Sequence, residues 1–193
     1  MKFQYRHAVL LVGFIIGAQA MAGSAPAAND HPDGGPALLS PAIAGYGEIH
    51  ALPDAAYQPQ KDQVYKVVFS LTKTPQKPED VNPALDAVAR AMNLYVSAGV
   101  PADHLKFVAV LHGPATGAAL DAAHYKEHFK VDDPNIELIH KLRAAGVDIV
   151  VCGQAYLGQG FPLDGLNKDV KLALSALTTI TTLETQGYVL MPI

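Results

Sequence analysis

The chain has 193 residues, half of them hydrophobic, and carries 18 acidic and 14 basic residues for a formal net charge of −4. Lysine and arginine form no cluster, which argues against nucleic acid as a partner. The single cysteine excludes an intramolecular disulfide.

Residues 1–22 have the pattern of a secretory signal peptide. Lys2 and Arg6 make a basic start, an apolar run follows, and small residues at 18–22 offer cleavage sites. The run is shorter than the roughly 20 residues of a membrane-spanning helix, although an uncleaved N-terminal anchor is the alternative. We expect export to the periplasm and no stable membrane span after cleavage. The mature chain would keep 12 basic and 18 acidic residues, a net charge of −6.

The rest of the chain divides into a leader, an arm and one domain. Residues 23–45 are rich in Ala, Pro and Gly without an apolar period, so we expect a flexible leader. Residues 46–60 mix scattered apolar residues with turn formers and predict an irregular arm lying on the domain. Residues 61–193 then form one domain, of a size that a single core supports.

Strands and helices alternate along the domain. Continuous apolar runs predict five strands, at 64–71, 105–112, 147–151, 170–174 and 188–193. Apolar spacing and helix-end signals predict three helices, from Pro83 with Asn82 as its cap, from Asp133-Pro134 to Gly146, and from Ser175 to Gln186. Segment 168–186 is also compatible with one continuous helix. Because the strands are apolar throughout, the pattern favours an α/β fold whose parallel sheet is covered on both faces.

Cys152 directly follows the third strand. Ligands of open α/β sheets bind at the carboxyl ends of the strands. If Gly153 and the residues after it begin a helical turn, free N–H groups would lower the pKa of the thiol. The alternative is a buried cysteine that acts as a small hydrophobic residue.

His112 ends the second strand, at the height of Cys152 if the two strands are neighbours. A histidine there would activate the thiol or relay its proton. The alternative is a histidine that holds a loop by hydrogen bonds.

His124 and His128 belong to HYKEH, which matches the H-x-x-E-H zinc-protease pattern. That site needs a stable helix and a third ligand, whereas this segment is short and its downstream glutamates are Glu137 and Glu184. We expect a solvated helical turn and no metal site. No P-loop or G-x-G-x-x-G pattern occurs, and no cofactor is expected.

Several segments together resemble the exported branch of the DsrE/DsrF-like family, from about Val64 to Ile193. They are YKVVFSLT, NPALDAVARAMNLYVSAGVP, VAVLHGPAT, LIHKLRAAGVDIVVCGQAY, VKLALSAL and GYVLMPI. The resemblance implies a three-layer α/β/α fold with a mainly parallel five-stranded sheet, and assembly as a homotrimer or homohexamer. It also implies sulfur-relay chemistry, in which the cysteine after the third strand carries a persulfide. That position is Cys152 here.

The sequence therefore predicts an exported carrier that binds sulfane sulfur as a persulfide on Cys152. His112 would tune the thiol, and Gly153, Gln154 and Gly113 would contact a small sulfur donor or a partner sulfur-transfer protein. The alternative is a non-catalytic oligomeric module of the same fold that binds a small ligand or acts as a scaffold. A zinc hydrolase built on the two histidines of HYKEH is a third, weaker hypothesis.

Overall fold

The computed structural model describes residues 37–193. The signal peptide predicted at 1–22 and the first part of the leader lie outside the described residues. In chain order the strands are β1 (Leu38–Leu39), β2 (Ile49–His50), β3 (Tyr65–Leu71), β4 (Leu105–Leu111), β5 (Asp148–Cys152), β6 (Lys171–Ala173) and β7 (Val189–Pro192). The helices are α1 (Pro83–Ser97), α2 (Ala122–Phe129), α3 (Ile136–Ala144), α4 (Gly153–Gly158) and α5 (Ala176–Thr185).

The five predicted strands form one sheet in the order β6-β5-β4-β3-β7, and every neighbouring pair is parallel. Segment 168–186 is a strand followed by a separate helix, so the alternative of one continuous helix is wrong. The break occurs at Ser175, whose extended backbone and side-chain cap start α5 afresh.

The sheet separates two apolar layers, because alternate residues of a strand point to opposite faces. On one face Phe69, Phe107 and Val151 pack in the larger core, which α1 and α3 cover. On the other face Val110 and Cys152 pack in a smaller cluster beneath α5. The three-layer α/β/α architecture expected from the resemblance is therefore present.

The segment before the sheet is ordered further toward the N-terminus than the sequence indicated. Strands β1 and β2 pair as an antiparallel hairpin, and Ile43 between them is buried in the larger core. Residues 37–45 therefore belong to a docked arm and not to the flexible leader predicted at 23–45. This segment is docked by a tertiary contact, because the side-chain amide of Asn93 on α1 accepts hydrogen bonds from its backbone.

Within residues 37–193 every helix is too short or too polar to span a membrane.

Candidate functional site around Cys152

Cys152 is the last residue of β5 and the N-cap of α4. A helix does begin at Gly153, which was the condition for N–H groups to lie near the thiol. The side chain points to the face that α5 covers, where it is 6% exposed. The cysteine therefore lies at the carboxyl edge of a parallel sheet, beneath one helix and at the start of another.

Hydrogen-bond donors make this thiol more acidic than an ordinary cysteine. Burial raises the pKa of Cys152, but the backbone N–H groups of Ala176, Ala155 and Gln154 and the Ser175 hydroxyl outweigh it, so the pKa is lowered. No N–H of α4 makes a full capping bond to this side chain, and Ala176 of α5 is the strongest of the donors. A lowered pKa increases the thiolate fraction at neutral pH, which is the nucleophilic form.

His112 lies beside Cys152 but is bonded elsewhere. Strands β4 and β5 are neighbours, with Leu111 paired to Val151, so the next position along each strand brings His112 and Cys152 to the same height. The His112 Nε2 atom is 2.8 Å from the hydroxyl of Ser70 on β3. Burial lowers the pKa of His112, so the imidazole is mostly neutral at neutral pH. The neutral imidazole brings no positive charge to this edge of the sheet.

The three residues predicted to contact a ligand lie around this edge. A Cβ atom on Gly153 would come 2.7 Å from the carbonyl oxygen of Ala173, so glycine is needed here for the close packing of α4 on β6. Gln154 is exposed, and its amide lies 3.4 Å from the carbonyl oxygen of Leu174. Gly113 has a positive φ of 54° and begins a 3₁₀ helix after β4. Ligand contact by these residues stays a prediction.

Ser175 and Ala176 are the site residues that the sequence did not suggest. The helix-capping signal of Ser175 is recognisable from the sequence, but its nearness to Cys152 is not. The Ser175 Oγ atom is 4.0 Å from the Cys152 Sγ atom, and Ala176 shares the buried cluster of the cysteine. The N-terminus of α5 thus completes the thiol site.

The HYKEH segment is a short helix whose histidines have structural partners. His124 is bonded to Asp121, the N-cap of α2, with 2.9 Å between Nδ1 and Oδ1, and this bond raises the pKa of His124. His128 packs edge-on against Phe129 and Phe161. Nowhere in the described part of the chain do three His, Cys, Asp or Glu side chains gather closely enough to hold a metal ion.

Comparison with known proteins agrees with this architecture. The family model described as DsrE/DsrF-like family matches residues 65–192. Among solved structures, the chain is similar to MTH1491 from Methanobacterium thermoautotrophicum, whose structure is titled as that of a protein of unknown function. The TM-score is 0.51 at 17% sequence identity, and the alignment covers 67% of this chain and 99% of the other. At that identity the likeness concerns the fold alone. Comparison with curated proteins finds no match.

Proposed function

The chain belongs to the DsrE/DsrF-like family, and we propose that it carries sulfane sulfur as a persulfide on Cys152. The observation that carries this proposal is the set of donors around the thiol, which lowers its pKa although the side chain is buried. A cysteine that only filled space would have a raised pKa, since burial disfavours the thiolate. The family membership supports sulfur as the cargo.

The loading step needs only a thiolate and a donor that contains a sulfur–sulfur bond. The Cys152 thiolate attacks the terminal sulfur of a low-molecular-weight persulfide, and a new sulfur–sulfur bond forms on the protein. The donor's own sulfur–sulfur bond breaks, and its thiolate leaves with the electron pair. The terminal proton stays on the transferred sulfur, so the step requires no oxidant or reductant. Release to an acceptor thiolate is the same reaction in reverse.

The neighbouring residues have distinct roles in this proposal. His112 exchanges a proton with the thiol. The imidazole is in its neutral form when it does so, because the pKa of His112 is lowered. Gln154, which is exposed at the start of α4, offers its amide to the donor. The backbone at Gly113, where a Cβ atom would meet nothing within 4 Å, allows the donor to approach closely. Because a signal peptide is expected at 1–22, we propose that this chemistry takes place in the periplasm.

We also propose that the protein acts as a homo-oligomer, a trimer or hexamer, and that its C-terminal surface forms the interface. Residues 172–193 contain one charged residue, Glu184, whereas 17% of the whole chain is charged. Their exposed apolar side chains form two groups, Leu172, Leu174 and Leu177 at β6 and the start of α5, and Val189, Leu190 and Met191 on β7 at the opposite edge of the sheet. The first group is the proposed interface. Depletion of charge and exposed apolar area are typical of subunit interfaces. A chain with a net negative charge would meet a second copy at this surface with little repulsion.

Intact-mass analysis after exposure to polysulfide tests the carrier function. The native protein is expected to gain one or more sulfur atoms that dithiothreitol removes, because the thiolate of Cys152 attacks the donor. The Cys152→Ser variant is the matched control and should keep its mass. If the native protein gains no sulfur while the same protein in urea does, the thiol is a buried structural residue and the scaffold alternative is correct.

A further inference from the structure

The N-terminus of α5 lies over Cys152, and one side chain anchors it there. Ser175 caps the helix, since its Oγ atom accepts the Leu177 N–H at 3.2 Å. The carbonyl oxygen of Ser175 accepts both the N–H of Thr179, at 3.0 Å, and its hydroxyl, at 2.8 Å. The first turn of α5 is therefore fixed relative to the serine. The serine itself lies two residues after β6, whose Ala173 pairs with Cys152.

From this geometry we infer that Ser175 is a positioning residue for the thiol. Its cap holds the first turn of α5, where the Ala176 N–H helps to lower the pKa of the thiol. The thiol donates its hydrogen to the Ser175 Oγ atom, and once the thiol is ionised the serine hydroxyl can donate to the sulfur instead. A hydroxyl accepts and donates at the same time, so the bond to Leu177 does not occupy the hydrogen. The distance of 4.0 Å between Oγ and Sγ is at the outer limit for a hydrogen bond to sulfur.

The role assigned to Ser175 differs from that of His112. Four N–H and O–H donors lower the pKa of Cys152, and two of them belong to Ser175 and Ala176. His112, by contrast, is bonded to Ser70 and is kept neutral by burial. The start of α5 therefore supplies half of these donors, including the strongest, and α4 supplies the others. This inference rests on the proposed carrier function, in which the thiolate of Cys152 is the reactive form.

The test is the pH dependence of iodoacetamide alkylation of the mature protein, in which Cys152 is the sole thiol. Ser175→Ala removes the cap and the hydroxyl and should raise the thiol pKa by about one unit, a roughly tenfold smaller thiolate fraction near neutral pH. Ser175→Thr keeps both groups and should retain the wild-type pKa. Asp121→Ala removes the cap of α2, away from the thiol, and should lower the melting temperature without moving the pKa.

A second substitution covers the case in which Ser175→Ala does not fold. Ser175→Asp retains a good N-cap but places a negative charge near the sulfur, so it should raise the pKa of Cys152 further. An unchanged pKa in Ser175→Ala, or in Ser175→Asp, would overturn the inference, as would a Thr variant that behaves like the Ala variant. If wild type has the lowered pKa and responds to these substitutions but gains no sulfur from polysulfide, the positioning role stands and the carrier function fails.

Discussion

Asp133 precedes α3 with one carboxylate oxygen satisfied and the other unpaired. Its Oδ1 atom accepts the N–H and the side-chain amide of Asn135, at 2.8 and 2.9 Å. Its Oδ2 atom is buried and has no hydrogen-bond partner among residues 37–193. Burial raises the pKa of Asp133 to about 6, although the bonds from Asn135 lower it. The carboxylate thus holds Asn135, the residue before the first turn of α3, but is ionised at a cost in stability.

Asp133→Asn should make the protein more stable at neutral pH. The ordinary pKa of an aspartate is 3.8 and the folded value is about 6, so the folded state holds a proton that the unfolded state has lost. The wild-type free energy of unfolding therefore falls as the pH rises from about 4 to 6. Asparagine keeps the oxygen that accepts from Asn135 and does not ionise. We expect a gain on the order of 1–2 kcal/mol at about pH 7, and little difference at about pH 4.

Urea denaturation at a series of pH values measures this effect. Asp132→Asn is the control, since Asp132 is next in sequence but is exposed and paired with Lys126. It should retain the wild-type pH dependence. A less stable Asp133→Asn protein at neutral pH would show that the bonds to Asn135 need the charge.

At the scale of elements, one amide joins the N-terminal arm to α1. Asn93 is fully buried, and its Oδ1 atom accepts the N–H groups of Ala42 and Ile43. Its Nδ2 atom donates to the carbonyl oxygens of Tyr46 and Gly47, at 2.8 and 2.9 Å. Four backbone groups of a segment without regular structure are therefore satisfied by one side chain, which explains why the arm is docked.

Asn93→Ala should release the arm and destabilise the protein by about 3 kcal/mol, because buried backbone groups lose their partners. Urea denaturation measures the loss, and limited proteolysis shows where the chain opens. The arm should become cleavable between residues 40 and 50 while the sheet stays protected. Ser97→Ala, an exposed position on the same helix, is the control and should change stability little. A loss below about 1 kcal/mol with an uncleaved arm would contradict this role.

For the whole molecule, we expect subunits to meet at the charge-poor C-terminal surface. Leu174 and Leu177 are 72% and 80% exposed, so polar residues at these positions cost the isolated subunit little. In an oligomer built through this surface, Leu174→Glu with Leu177→Glu would bring like charges together in an apolar contact. We expect the double variant to sediment as a monomer and the wild type as a trimer or hexamer.

Leu94→Glu is the control, since Leu94 is also exposed but lies on α1, on the opposite face of the sheet. It should leave the sedimentation of the wild type unchanged. A wild-type protein that sediments as a monomer would remove the proposal, and an oligomer that survives the double substitution would place the interface elsewhere.

Local patterns in the sequence are enough to predict most strands and helices of the domain and the position of its cysteine. The apolar runs, the cap at Asn82 and the end of the third strand at Cys152 are local signals, because periodicity and capping act over a few residues. These signals were sufficient for a parallel α/β fold with a thiol at the carboxyl edge of its sheet.

The residues that surround the thiol come from distant parts of the chain, so only the folded structure identifies them. Ser175 is 23 residues from Cys152, Ser70 is 42 residues from His112, and Asn93 is about 50 residues from the arm that it holds. Such contacts depend on the order of strands in the sheet and on the face that each helix covers, and no pattern within a single segment encodes either. The cysteine is therefore apparent from the sequence, whereas the nearness of the α5 donors to it depends on the pairing of β5 with β6.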